Sequence, residues 1–371
     1  MNERGTTAET LRRSLRRQVL SGEIPVGERL DSERRLAAEY RLPRSAVARV
    51  FAEMEQEGLV SRQVGRGGTV VISNRPVRAV SGPKQITCLL THFRDFSPVD
   101  NYFYDIIHGA QQAARDRGCA LGLWSPSGSG SFELLRSNAL DSFGPVVLVD
   151  EEFGDDIVES LCRQYVRPIV LNRRSHLPVD TVLADNADGM GQAVDHLYRL
   201  GHRRVGYVGD LLDPNNVERE GGFLDRTIGL GLDQAGHLLS LSVDTRALNR
   251  AGVRNEEIDV LQVRQITDEF ISRHTAVVCS NDYIANAVCR KARAMNRAVP
   301  GDLSVVGFCD FALASQMAPK LTSVHIDSRR IGRQAVERFF ERLDGGDDEP
   351  RTLRIPVDLR VRESTNQREG P

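Results

Sequence analysis

No stretch of the 371 residues approaches the roughly 18 consecutive apolar positions that a membrane-spanning helix needs, and no apolar segment lies near residue 1. Secretion and membrane insertion are therefore disfavoured, and the expected location is the cytoplasm. The six cysteines, at 88, 119, 162, 279, 289 and 309, include no C-x-x-C pair, so neither a disulfide framework nor a zinc knuckle is indicated. Reduced, buried thiols are expected, with no metal and no cofactor. Lysine is almost missing: only Lys84, Lys291 and Lys320 occur. Ser125-Pro126-Ser127-Gly128-Ser129-Gly130 is glycine-rich but has neither the Gly-Lys-Ser/Thr of a phosphate loop nor the flanks of a nucleophile elbow. It reads as a loop, and no catalytic residue is assigned.

What is present is a soluble, multidomain composition, 40% hydrophobic and 27% charged. The net charge of -2 conceals an asymmetry: residues 1 to 80 hold 15 Arg against 10 Asp and Glu, a surplus of +5, leaving -7 for the remainder. A basic head suits phosphate neutralisation, although a charged surface alone is also compatible with simple solvation.

Apolar spacing predicts helices over Thr7 to Leu20, Ser32 to Tyr40 and Arg44 to Gly58. Two short strands around Gly65-Arg66-Gly67-Gly68 predict a hairpin wing. In the third helix Val47, Val50, Phe51 and Met54 share one face, while Arg44, Ser45, Ala48 and Arg49 share another. The first face can pack, and the second can enter a major groove.

Over Thr7 to Ile72 these residues resemble the GntR family of winged-helix regulators. The resemblance rests on Ser21-Gly22-Glu23-Ile24-Pro25-Val26-Gly27-Glu28-Arg29-Leu30, Ser32-Glu33-Arg34-Arg35-Leu36-Ala37, Glu55-Gln56-Glu57-Gly58-Leu59-Val60 and the glycine-rich wing. It implies that Arg34, Arg44, Ser45, Ala46 and Gly65 approach double-stranded DNA. Arg49 is added as a base reader and Arg66 as a minor-groove probe. Pro43 stands where the family usually has Ser or Thr, and Ala48 where many members have a base-reading Arg.

Residues 74–84 carry Asn74, Pro76, Ser81, Gly82 and Pro83 without apolar periodicity and read as a linker. This divides the chain into a winged helix-turn-helix head at 7–73 and a body at 85–365. In the body, short apolar runs alternate with helical patterns, the signature of parallel α/β sheets.

The body resembles the LacI/GalR-type effector domain, itself similar to periplasmic sugar-binding proteins. Asn101-Tyr102-Phe103-Tyr104, Asp185-Asn186, Leu200-Gly201-His202-Arg203-Arg204-Val205, Ser280-Asn281-Asp282, Leu303-Ser304-Val305-Val306-Gly307-Phe308 and Val361-Arg362-Glu363-Ser364-Thr365 carry the resemblance. It implies two doubly wound lobes joined by three crossovers, placed here at 85–186 with 322–347, and at 187–321 with the tail. A ligand would sit at the carboxyl ends of the strands, between the lobes. By position Phe103, Tyr104, Asn172, Arg219, Asn281, Asp282 and Asp310 match effector contacts, with Trp124 a weaker addition. Such amides, charges and aromatic faces suit a small carbohydrate or a related metabolite. Cys309 stands where the family commonly has an Asp that grips sugar hydroxyls.

Each residue also has a plainer reading. Phe103 and Trp124 fit a core, Asn281 and Asp282 fit a helix cap, and Arg219 fits an ion pair. Asp185 and Asn186 read as a cap at the interlobe crossover.

A GntR head on a LacI-like body is similar in layout to the arabinose repressors. The implied function is a ligand-responsive transcription regulator, a repressor, acting as a homodimer on an operator. The alternative is a GntR-head fusion enzyme of aminotransferase type. That would need a Schiff-base lysine, for which the three available positions are poorly placed.

Overall fold

Three amphipathic helices enclose the first hydrophobic core. The computed structural model describes residues 8–56, 58–63, 68–74, 85–90, 102–124, 146–151, 153–163, 168–232, 237–243, 255–345, 347 and 349–368. It separates into two compact units, Met1–Lys84 with Glu341–Gly346, and Gln85–Phe340 with Asp347–Pro371. Most of the expected linker, residues 75–84, and the loop 125–130 lie outside the described residues.

In the head, α1 (Ala8–Leu20) turns Leu11, Leu15 and Val19 inward, and α3 (Arg44–Gln56) buries Val47, Val50, Phe51 and Met54 against them. Between them lies α2 (Glu33–Glu39). It starts where the Ser32 hydroxyl accepts the Arg35 N–H, satisfying a donor the helix cannot. Strands β1 (Val60–Gln63) and β2 (Gly68–Val71) pair antiparallel, with Val60 opposite Val71. Arg62 ties this hairpin to the helices. Its backbone N–H donates to Glu55 Oε1 at 2.8 Å, and its guanidinium donates to the Ala48 carbonyl and lies 3.9 Å from Glu33.

The body contains β3 (Gln85–Leu89), α4 (Tyr102–Asp116), β4 (Ala120–Trp124), β5 (Val146–Val149), α5 (Asp155–Arg163), β6 (Ile169–Leu171) and β7 (Asp180–Ala184). These are followed by α6 (Asn186–Arg199), β8 (Val205–Asp210), α7 (Asn216–Gly229), β9 (Leu238–Leu241), α8 (Asn255–Gln265), α9 (Asp268–Arg273) and β10 (Ala276–Cys279). The last elements are α10 (Asp282–Ala294), β11 (Ser304–Cys309), α11 (Ala312–Gln316), β12 (Thr322–Ile326), α12 (Ser328–Leu343), β13 (Thr352–Ile355) and β14 (Val357–Arg360).

Two six-stranded sheets result, in the orders β13-β7-β6-β5-β3-β4 and β14-β12-β11-β10-β8-β9. Their pairings are parallel except β12 with β14. The expected α/β bilobal architecture with a winged helix-turn-helix head is present, and the chain crosses between sheets three times, at Asp185, Asp327 and Pro356. One lobe boundary differs from expectation. Strand β12, assigned from sequence to the first lobe, pairs with β11 in the second. It is β13 that returns to the first sheet, beside β7. A strand buried on both faces carries no pattern that says which sheet will take it.

Helix α12 does join the first lobe, and two glycines let it approach α4 closely. A Cβ at Gly332 would lie 1.8 Å from the Ile106 carbonyl oxygen, and one at Gly109 would lie 1.9 Å from that of Arg329. The same helix is pinned by a fully buried ion pair. Arg338 Nε donates to Asp180 Oδ1 at 3.0 Å, the Arg351 N–H donates to the same oxygen at 2.9 Å, and Arg338 also donates to the Glu349 carbonyl.

Removing one partner of such a pair strands the other charge in the core. Urea unfolding of Arg338→Ala should show a loss of roughly 3–5 kcal/mol, and replacing both partners by apolar residues should recover most of it. A loss below about 1 kcal/mol would remove the pair from any structural role.

Candidate effector cleft and DNA-reading helix

Helix α3 opens without a hydroxyl cap. Arg41 adopts φ 52° to reverse the chain, and the Pro43 carbonyl accepts the N–H groups of Ala46 at 2.9 Å and Val47 at 3.3 Å. This exposes the first turn: Arg44 and Ser45 face solvent, Ala46 is half-buried, and Arg49 is exposed one turn further on. Arg34 is exposed on α2. The expected wing-tip residues Gly65 and Arg66 lie outside the described residues. Sequence reasoning overlooked Glu53, whose carboxylate lies 3.8 Å from Arg49 and 3.7 Å from Arg12 of α1.

In the body, the loops at the carboxyl ends of both sheets converge on a chain of buried polar groups. From the first lobe, the Tyr102 hydroxyl at the start of α4 donates to Asn172 Oδ1 at 2.5 Å. Asn172 follows β6 in the left-handed region, at φ 57°, and donates its amide to Glu151, which follows β5. From the second lobe, the Asn215 amide reaches the same Glu151 oxygen at 3.3 Å, joining the lobes.

The chain continues through Asn186, which donates to Asn215 Oδ1 at 3.3 Å and accepts from Arg219 Nε at 2.9 Å. Arg219 also donates to the Ser280 carbonyl at 2.7 Å and to Asp213 at 3.2 Å, and its guanidinium lies over the Phe308 ring, 4.4 Å from the centroid. Burial works against its charge, but Cys309 and Asp213 outweigh that and raise its pKa. Arg219 therefore stays cationic. Burial raises the Tyr102 hydroxyl well above its ordinary value, so it remains a donor.

Of the sequence candidates, Asn172 and Arg219 lie within this chain. Phe103 stands edge-on to Tyr102 at 5.5 Å and backs it from the core side. Tyr104 is exposed, two residues past the buried Tyr102. Trp124 packs with the first-lobe core around Leu89 and Val149.

Asn281 caps α10, accepting the Ile284 N–H at 2.9 Å, which is the plainer of its two readings. Asp310 is an ion-pair node, 2.6 Å from Arg362, 3.3 Å from Arg360 and 3.2 Å from His325, so its carboxylate is committed within the protein. Asp185 caps α6 as expected, but its neighbour Asn186 is a central link of the polar chain rather than part of the cap. Tyr102, Glu151, Asp213 and Asn215 were also overlooked. Their one shared signal is position, in each case on a segment bordering the carboxyl end of a strand.

Asp282 sits apart from the chain, fully buried. It accepts the Ser323 hydroxyl at 2.6 Å and the Phe311 N–H at 2.6 Å, latching β12 and the start of α11 to α10. Both oxygens are thus engaged within the fold. Desolvation pushes its pKa up to about 8 against these hydrogen bonds. A carboxyl raised in the folded state contributes stability that is full below its unfolded value near 4 and lost as pH rises towards 8. Asp282→Asn keeps the shape without the titration. Its unfolding midpoint should be flatter than that of the wild type between pH 4 and 8, and a parallel decline in both would contradict this assignment.

Among the described residues no helix is long and apolar enough to cross a membrane, and no group of three or more His, Cys, Asp or Glu is placed to hold a metal. The gntR family model of bacterial regulatory proteins matches residues 7–71, and that of the periplasmic binding protein-like domain matches residues 194–365. The arabinose metabolism transcriptional repressor of Geobacillus stearothermophilus is 26% identical over 340 residues, covering 88% of each chain.

Among solved structures, a complex of the transcriptional regulator CelR with cellobiose has a TM-score of 0.64 at 22% identity, covering 86% of this chain and 90% of that one. The lac repressor dimer bound to operator and the anti-inducer ONPF has a TM-score of 0.62 at 20% identity, covering 78% and 96%. These two likenesses establish the fold of the body. The chain therefore joins a DNA-binding head of the gntR family of bacterial regulatory proteins to a periplasmic binding protein-like body.

Proposed function

We propose that this chain is a ligand-responsive, sequence-specific DNA-binding transcription regulator, a repressor controlled by a small carbohydrate or related metabolite. One observation carries the reading. A helix with one face wholly buried offers Arg44, Ser45 and Arg49 to solvent, on the same chain as a two-lobed body whose strand ends converge on buried polar groups. Arginine near a helix N-terminus suits the O6 and N7 of guanine, and the small Ser45 and Ala46 leave room for a thymine methyl. Relatives of similar layout are named as repressors, and CelR is seen with cellobiose.

In this reading the head spans 7–73, the linker 74–84 and the body 85–365, and the protein acts in the cytoplasm as a homodimer. Two-fold symmetry would match two half-sites on an operator. The effector would exchange its hydroxyls for the internal partners of Asn172, Glu151, Asn215 and Arg219. Asn281, Asp282 and Asp310 would hold the surrounding loops. Because those four groups come from both lobes, a bound effector would shift the lobe arrangement by its difference in affinity between the two states. No bond is made or broken in this mechanism, and no catalytic residue is assigned.

Two measurements test the two halves. Sites selected from random duplexes by the full chain should lose roughly 1–3 kcal/mol of affinity on Arg44→Ala, with relaxed preference at one base position. An unchanged footprint would remove α3 from base reading. A thermal-shift screen over pentoses, hexoses, sugar acids and nucleosides should yield a ligand whose binding falls at least about tenfold on Asn172→Ala and on Arg219→Lys. Equal binding by both variants would place the effector elsewhere.

A further inference from the structure

The sequence of α1 carries Arg12, Arg13, Arg16 and Arg17, four guanidinium groups within six residues; Arg13 and Arg17 are exposed opposite the buried Leu11, Leu15 and Val19, and Arg12 and Arg16 flank that face half-buried. At 1.5 Å per residue these span about 7.5 Å of helix.

The surface on which this stripe lies is defined by Glu53. One of its carboxylate oxygens is 3.8 Å from Arg49 Nε on the exposed side of α3, and the other is 3.7 Å from Arg12 Nε. A single carboxylate therefore bridges the recognition helix to α1. The positive surface runs from Arg44 through Arg49 and Glu53 to Arg12, and on along the Arg16 row. The three side chains Arg12, Arg49 and Glu53 each stay about a third or more exposed, so the ion pairs are weak enough to exchange. Duplex DNA offers a row of monovalent anions at about one charge per 3.4 Å of axis on each strand, a spacing that the span of α1 covers about twice.

We propose that the arginine face of α1 extends the DNA-binding surface along the phosphate backbone beside the groove entered by α3. Glu53 is then a built-in counter-charge, which Arg12 and Arg49 exchange for phosphates on binding. The proposal rests on the reading of the head as DNA-binding. It makes Arg12 and Arg16 sequence-independent contacts, and it makes Glu53 a brake on non-specific affinity. Phosphates displace Glu53 from Arg12 on any duplex, and from Arg49 only where the duplex also satisfies Arg44.

The test uses the full chain, a short random-sequence duplex and a selected site, with affinities measured from about 50 to about 200 mM salt. Each phosphate contact contributes about 0.9 to the slope of log affinity against log salt. Arg12→Gln/Arg16→Gln should therefore lower the magnitude of the slope by about 1.8, weakening both duplexes by the same factor. Glu53→Gln should strengthen binding to the random duplex several-fold and narrow the ratio between the two. The buried face of α1 is untouched by these changes, and equal melting temperatures would confirm that the head is folded. A slope for Arg12→Gln/Arg16→Gln equal to that of the wild type overturns the proposal whatever Glu53→Gln does. A wild-type chain with no salt-dependent affinity for any duplex overturns instead the reading of the head on which it rests.

Discussion

A guanidinium with only 3% of its surface exposed has to be neutralised and hydrogen-bonded within the protein, because an isolated charge in that position would cost several kcal/mol. Arg219 is that group, and much of the cleft follows from satisfying it. Its fork needs acceptors in fixed directions, and they come from three places: Asn186 at the start of α6, Asp213 in the loop after β8, and the Ser280 carbonyl at the end of β10. The Phe308 face closes the remaining side. Four separate segments of the second lobe are thereby held in one arrangement.

The same demand extends across the lobes. Asn186 is oriented by Arg219 and passes the constraint to Asn215, whose amide meets Glu151 of the first lobe. Glu218, one residue before Arg219, accepts from Arg354 on β13 at 2.8 Å and from Asn186 at 3.2 Å, and lies 3.7 Å from Arg174. Burial opposes the charge of Glu218, but these donors more than compensate and hold its pKa below the ordinary value. The interlobe contact thus includes a network of charge-assisted hydrogen bonds and amides, beside which the Tyr102 ring meets Phe311 of the second lobe edge-on at 6.0 Å. Such contacts can be exchanged for those of a polar ligand at modest net cost, since each bond lost inside the protein is remade to the ligand.

The elements with strict periodicity were readable before any coordinates. Val47, Val50, Phe51 and Met54 repeat at helical spacing because α3 packs on one side only, and that half-burial writes the pattern. The buried parallel strands were also visible as short apolar runs. What could not be read was partnership. Strands β12 and β13 each sit one residue from a crossover, at Asp327 and Pro356, and nothing in Thr322–Ile326 distinguishes β11 as a neighbour from a strand of the other sheet. The site was half legible for the same reason. Asn172 and Arg219 were found by resemblance, whereas Glu151, Asn186 and Asn215 depend on which loops the topology brings together. Asp282 and Asp310 were named by the same resemblance, and in the fold their carboxylates engage Ser323 and Arg362.

That difference gives the Cys309-Asp310 pair a physical explanation. Both residues have positive φ, 92° and 54°, an unusual conformation that costs of order 1–3 kcal/mol for each non-glycine residue and persists only where neighbours enforce it. Asp310 supplies the enforcement. Its carboxylate is held by Arg362, Arg360 and His325 and its N–H donates to the Ser323 hydroxyl, so the turn is clamped to β12 and to the terminal strand. The acid at position 310 thus ties this turn to its neighbours.

Position 309 has no such duty. Its side chain is buried in the same hydrophobic cluster as Tyr102 and Phe308. With a thiol there, the carboxylate next to Arg219 is supplied by Asp213, from the loop after β8. A thiol is a weak hydrogen-bonding group, so the strong donors and acceptors of the chain are Glu151, Asn172, Asn215 and Arg219, drawn from both lobes.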